Sequence, residues 1–224
     1  MTPDPEQEAA LLSWVVQFEQ QAWDRADVAC DVEGDVRRVG LRGLGSTGRT
    51  TDLYRRVVMG YSTDFKGRFN LDKPLTLAHF AYLRAFGATR RMLRNPTIAE
   101  TLPDLIRVAV GLPIGDDGCY FVGGRGYAGQ ERDVSVLDPN AHPSGQPELW
   151  CKWTPTEDLA GIEWDNCEKF YGYVEWIEYL IEHFLAPWGY SLTGSVDWQG
   201  EEIGDVGTIT IDRNAVTTTG DKRS

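Results

Sequence analysis

Apolar residues recur along this chain with two different periods, and the switches between them divide it. Between Pro5 and Val28, Leu11, Val15, Phe18 and Ala22 return at helical spacing with acids in the first turn, which predicts an amphipathic N-terminal helix. From Cys30 to Arg56 no period holds, and Gly and Arg dominate in the manner of a linker. At Met59 the pattern becomes alternating: in MGYSTDFKGRFNL, Tyr61, Thr63 and Phe65 fall on one side and Ser62, Asp64 and Lys66 on the other, as in a half-buried strand. A helical stripe follows. Leu77, Phe80, Leu83 and Phe86 predict a helix over Leu75–Leu93, with Arg90, Arg91 and Arg94 at its end and Pro96 closing it. A second short helical run, Ile98–Val108, carries Pro103 in its first half.

Residues 111–147 are rich in Gly and Pro and predict a long irregular excursion with two short strands, the kind of segment in which function concentrates. ELWCKWTP and AGIEWDN then read as a hairpin. The clearest helix is Glu168–Leu185: Phe170, Tyr173, Val174, Ile177, Leu180, Ile181 and Phe184 make an apolar stripe, Glu175, Glu178 and Glu182 take the outer face, and Pro187 ends it. GYSLTGSVDWQG and GTITIDRN predict two antiparallel strands across an acidic turn. Residues 1–58 are thus an N-terminal helix and linker, 59–216 the domain proper, and 217–224 a disordered polar tail. Two helices on one face of an antiparallel sheet would bury every apolar stripe at once, so the expected class is α+β, a ferredoxin-like relative.

Composition adds little to the fold but narrows the setting. The 224 residues are 42% hydrophobic and 11% aromatic, enough for a core without staples. No apolar run reaches membrane-spanning length and MTPDPEQEAALL lacks the blocks of an export signal, so a cytoplasmic protein is expected. The cysteines, Cys30, Cys119, Cys151 and Cys167, show neither a CxxC pair nor a histidine at ligand spacing, and read as reduced, packed thiols. The formal charge of −12 is uneven. Arg84 to Arg107 holds five arginines against Glu100 and Asp104, whereas Glu157 to Asp212 holds thirteen acids against Lys169 alone. Such a C-terminal third repels nucleic acid and favours partners with basic surfaces; the plainer reading is a solvated face that keeps the protein soluble.

Two motifs imitate nucleotide sites. GLGSTGRTT, Gly43–Thr51, has P-loop spacing with Arg49 in the lysine position, but VRRVGLR before it is too basic for a central parallel strand, and the run after it is cut by Gly60. GRGYAG, Gly124–Gly129, spells G-x-G-x-x-G, yet QERDVSVLD after it alternates like a strand where a dinucleotide fold needs a helix. No cofactor is expected. KGRF, Lys66–Phe69, resembles an RNA-recognition strand only faintly. Arg90, Arg91 and Arg94 are read as a helix end answering its dipole or as ion-pair partners for the acidic third. His79, His142 and His183 fit no metal or triad pattern, and Asp197, Glu201, Glu202 and Asp205 crowd the last hairpin turn without EF-hand spacing. Trp150, Trp153, Trp164, Trp176, Trp188 and Trp198 are too many for a small sheet to bury completely, so some are expected at the surface as recognition anchors.

The stretches MGYSTDFKGRFNLDKPL, AYLRAFGATRRM, GLPIG, QPELWCKW, IEWDNCEKFYGYVEWIEYLIEHFLAPWGY and GSVDWQGEEIGDVGTITIDRNAV resemble a group of bacteriophage and bacterial proteins with no assigned activity. The resemblance covers most of residues 59–216 and implies a phage-related setting without implying catalytic residues. Because such proteins tend to begin at the position of Met59, and Arg55-Arg56-Val57-Val58 is encodable as AGG AGG and two further codons, Met59 is a candidate first residue; the helix at Pro5–Val28 stands against that.

The function expected from the sequence is a non-enzymatic acidic module that binds a host or phage protein, including a defence protein, through Glu175, Glu178, Glu182, Trp176, Trp198, Glu201 and Glu202. One rival is a small hydrolase with Asp64, Glu163 or Asp165 as carboxylate base near the 111–147 excursion; a second is a structural accessory protein or small oligomer.

Overall fold

A computed structural model describes residues 61–123, 132–167 and 169–220. The predicted N-terminal helix, GLGSTGRTT, Met59 and GRGYAG lie outside the described residues. The alternating run at the start of the domain forms β1, Thr63–Leu71. Thr63 and Phe69 are buried and Phe65 and Leu71 half-buried, while Asp64, Lys66, Arg68 and Asn70 face out. In KGRF the aromatic ring therefore points into the core and only the cations reach solvent. Gly67 adopts φ +116°, and a Cβ there would stand 2.9 Å from the Ser195 carbonyl oxygen of the neighbouring strand.

The rest of the order is α1 (Leu77–Ala88), β2 (Leu93–Arg94), α2 (Pro96–Ala99), α3 (Leu105–Ala109), β3 (Val136–Asp138), β4 (Trp153–Pro155), β5 (Gly161–Trp164), α4 (Tyr173–Leu180), β6 (Leu192–Gly200), β7 (Val206–Asp212) and β8 (Ala215–Thr219). Six strands form one sheet, β4-β5-β1-β6-β7-β8, with every neighbouring pair antiparallel. The crossovers interleave: β5 lies between β1 and β4, which are joined through α1 and all the elements from β2 to β3, and β1 lies between β5 and β6, which α4 joins. Phe69, Ile162, Leu192, Val196, Ile209 and Ile211 from the sheet share one core with the buried sides of α1 and α4, so both helices cover the same face. The class is α+β, as expected.

Several boundaries differ from the sequence pattern. Helix α1 ends at Ala88, not at Leu93, because Thr89 turns to extended backbone, where its hydroxyl donates to Ala85 O at 2.6 Å. Pro96 does not close that helix but opens α2, whose N-cap Asn95 accepts from the N–H groups of Thr97 and Ile98. The run 98–108 is two helices separated around Pro103, the second capped by Asp104. Helix α4 starts at Tyr173, because Lys169 and Gly172 adopt left-handed backbone, and it continues through Ile181–Leu185 as a π-helical turn marked by Ala186 N–H to Ile181 O at 2.9 Å. Thr217–Thr219 are not tail: Arg213 and Asn214, at φ 45° and 69°, form a tight turn into β8, and Asn214 Oδ1 accepts from Leu192 N–H at 2.6 Å.

The tryptophan expectation holds only in part. Trp153, Trp176 and Trp198 are buried, Trp150, Trp164 and Trp188 are half-buried, and none of the six is exposed. They fit because aromatic rings pack on one another: Phe65 alone meets the rings of Trp153, Trp164, Phe170 and Tyr173 at centroid distances of 5.0 to 5.7 Å.

Trp188 stacks flat on His79 at 4.1 Å. The Tyr190 hydroxyl accepts from Thr76 N–H at 3.1 Å and lies 2.9 Å from His79 Nδ1. Burial, helped by the Lys73 ammonium, pushes this histidine down to about 4. Between pH 6.5 and 4 the unfolded chain binds the extra proton, so stability present above pH 6.5 is lost as pH falls through that window. For a half-exposed ring the loss is on the order of 1–2 kcal/mol after solvent screening. We expect the melting temperature to fall between pH 7.5 and 4.5 by about 3 °C or more beyond the fall of a His79→Phe variant; parallel curves would refute this linkage.

Candidate functional site

The acidic residues singled out from sequence are exposed but do not form one cluster. Glu175, Glu178 and Glu182 run along the solvent side of α4. Glu201 and Glu202 sit in the turn between β6 and β7. The two ends of the α4 ridge meet different surroundings.

At the N-terminal end, Tyr173 is the meeting point. Its hydroxyl is raised to about 12 by burial first and then by the charges of Asp205 and Glu175, with Tyr61 beside them, so the hairpin turn and the start of α4 come together here. The turn is pinned to β1 and to itself. Ser62 N–H donates to Glu201 Oε1 at 2.8 Å, the Tyr61 hydroxyl donates to the Asp205 carboxylate, and Gly200 N–H donates to Asp205 O at 2.8 Å. On this fixed tip Ile203 is fully exposed, followed by the half-exposed Val206. Ile203 thus shares its turn with the side chains of Glu201, Glu202 and Asp205.

At the C-terminal end lies a cavity of about 310 Å³, formed where the 111–147 excursion meets α4 and lined by Asp116, Cys119, Tyr120, Ser144, Tyr179 and His183, with Gly115 and Gly145 completing the wall. Sequence reasoning singled out the excursion and His183 but not their meeting. His183 stacks on Tyr179 at 4.1 Å, and its Nδ1 is 3.0 Å from the Tyr120 hydroxyl. Asp117 Oδ2 accepts from Ser144 N–H at 3.2 Å and latches two turns of the excursion together. Burial raises the Tyr120 hydroxyl, and Cys119, Asp116 and Glu182 raise it further. Burial likewise pushes the Cys119 thiol up, which keeps it protonated and a poor nucleophile.

Behind the cavity the arginine cluster has a role different from the one expected. Arg91 and Arg94 are both 2% exposed and end no helix. Arg91 Nη2 donates to Cys119 O at 2.7 Å and Phe121 O at 3.0 Å, its Nε donates to Gln146 Oε1 at 3.3 Å, and its guanidinium lies 4.2 Å from the Phe86 ring centroid. Arg94 covers the Phe121 ring at 4.3 Å, donates to Ser135 Oγ at 2.8 Å and pairs with Asp133, not with the acidic third. Gln146 donates to Cys119 O and to the Tyr179 hydroxyl. The cations thus fasten the irregular excursion to α1. Arg84 does reach the acidic third, through an exposed pair with Glu157 at 2.9 Å.

The remaining candidates are placed apart. Trp176 and Trp198, expected to anchor a partner, are core side chains at 0% and 4% exposure. Asp64 and Glu163 stand on the polar face of the sheet, and Asp165 closes a turn by accepting from Cys167 N–H at 2.9 Å; none of the three lines the cavity. Asp197 accepts from the Thr208 hydroxyl. His142 Nδ1 bonds only locally, to Pro143 O. Among the described residues no group of three or more His, Cys, Asp or Glu is placed to hold a metal, Cys119, Cys151 and Cys167 form no disulfide, and no helix is long and apolar enough to cross a membrane.

Fold and site together define an α+β domain with an acidic helix ridge that runs from a fixed hairpin tip to a small cavity of mixed polar and aromatic lining. No protein-family model, no curated protein and no solved structure matches the chain.

Proposed function

We propose that this domain is an acidic, non-enzymatic protein-binding module whose contact surface is the β6–β7 tip and the α4 ridge beside it. The observation that carries the reading is Ile203, fully exposed on a turn that Tyr61 and Ser62 hold in place. A projecting aliphatic group among Glu201, Glu202 and Asp205 suits a hydrophobic socket rimmed by basic residues: the apolar group supplies affinity, and the carboxylates steer approach and select charge. Because the tip is already fixed, binding it costs little ordering entropy. Glu175, Glu178 and Glu182 extend the anionic surface along α4. With the resemblance to phage proteins, we take the partner to be a host or phage protein in the cytoplasm. Trp176 and Trp198 support the surface from beneath and do not touch the partner.

The test is capture from a host extract on immobilised domain. Wild type and an outer-face control carrying Asp64→Asn and Glu163→Gln should recover the same protein. A tip variant carrying Glu202→Lys and Ile203→Asp, with unchanged melting temperature, should recover at least about tenfold less; Glu175→Gln, Glu178→Gln and Glu182→Gln together should weaken recovery less steeply. Equal recovery by the tip variant ends this reading.

A further inference from the structure

The cavity at the far end of the ridge has its own chemistry. Of its lining groups, Asp116 alone is a carboxylate, and Glu182 acts on the Tyr120 hydroxyl. Tyr120 and His183 add aromatic surface, and Ser144 adds a hydroxyl. Among the described residues, the Arg91 guanidinium is buried behind the wall, where it faces backbone and Gln146 oxygens, and Arg94 is likewise turned inward, over the Phe121 ring. An anion would meet the Asp116 carboxylate here, and a purely apolar group would leave that carboxylate without a partner. About 310 Å³ is the bottom of the range for ligand sites, too small for a dinucleotide and enough for one long side chain.

We propose that this cavity receives a cationic side chain, the guanidinium of an arginine, which pairs with Asp116 and lies against the Tyr120 and His183 rings. Guanidinium is planar, forks onto a carboxylate and stacks on aromatic faces, whereas an ammonium is a compact point charge with neither a flat face nor a fork. The ridge supplies continuity with the tip: Glu175 and Glu182 are seven residues apart on a helical run, about 10 Å, so one basic partner surface spans the hairpin tip and the cavity. This inference rests on the binding-module reading for the source of the arginine but not for the chemistry of the site, and its test uses neither the partner nor the tip.

The probe is N-acetyl-arginine N-methylamide, with the citrulline analogue as its neutral isostere, titrated into the full chain and followed by backbone amide NMR at Gly115 and Gly145. Saturable shifts at both glycines are expected with the arginine probe, and binding at least about fivefold weaker for citrulline, since a charge-assisted bond is exchanged for a neutral one. Asp116→Asn should weaken the arginine probe to the same degree while amides elsewhere stay put; Glu163→Gln, on the outer face of the sheet, should not. Ile203→Asp should bind the probe as wild type does, so a failed capture experiment leaves this result standing, and the converse holds too. Absence of saturable shifts, or a loss smaller than fivefold with citrulline, overturns the proposal whether or not the Asp116 variant folds.

Discussion

Replacing Arg91 by methionine is expected to destabilise the domain by about 2–4 kcal/mol and to loosen residues 115–123 before the sheet. The guanidinium is buried and satisfies Phe121 O and Gln146 Oε1, and it shares Cys119 O with Gln146. Methionine matches much of the length but donates nothing, so two acceptors are orphaned at about 1–3 kcal/mol each. One term opposes this. Among the described residues no carboxylate pairs with Arg91, and desolvation lowers its pKa, so removing the charge relieves part of its burial cost. The orphaned carbonyls win because methionine cannot move to satisfy them. Arg91→Lys should fare little better, since one ammonium cannot reach three acceptors and also lie flat on Phe86. Denaturant unfolding followed by fluorescence gives the free energy, and amide exchange at Phe121 and Val122 reports the local release. A methionine variant within about 0.5 kcal/mol of wild type would mean that the excursion holds itself in place.

A second contrast separates two core tryptophans that the sequence treats alike. Trp153 and Trp176 are both fully buried, but Trp153 Nε1 donates to Tyr173 O at 2.7 Å, whereas Trp176 Nε1 has no partner among the described residues. Truncating Trp153 to alanine should cost about 3–5 kcal/mol. The phenylalanine variants are more informative. Each loses similar volume, but Trp153→Phe also loses a bond worth about 1 kcal/mol, while Trp176→Phe deletes a donor whose burial already costs about 1–3 kcal/mol. Trp153→Phe should therefore be the less stable of the two by about 2 kcal/mol. Equal stabilities, read from paired urea titrations, would contradict the assignment of the two indole groups.

How far the fold could be read from sequence follows from what each element depends on. β1, the β4–β5 hairpin, β6, β7 and the buried stripe of α4 were legible because period and burial agree there. The end of α1 was not. Arg90, Arg91 and Arg94 look like cations finishing a helix, and only the excursion's free carbonyl oxygens, distant in sequence, give Arg91 a reason to turn inward. β8 was missed because threonine alternation carries no apolar signal, although Asn214 after Arg213 marked the turn. At the site, exposure of Glu175, Glu178, Glu182, Glu201 and Glu202 followed from polarity alone. The burial of Trp176 and Trp198 did not, since counting large rings says nothing about how they stack. Ile203 carried no signal at all: a single apolar residue in a turn is ordinary until its surroundings are known.

The interleaved crossovers also bear on how the chain is made. Phe69, in the first strand, pairs with Ile162 on one side and Gly194 on the other. During synthesis that strand leaves the ribosome long before either partner exists, with Phe65 and Phe69 uncovered throughout. The central seam can close only when the last third has been translated, so non-local pairing should make folding slow and late, and the unfinished chain a client for chaperones.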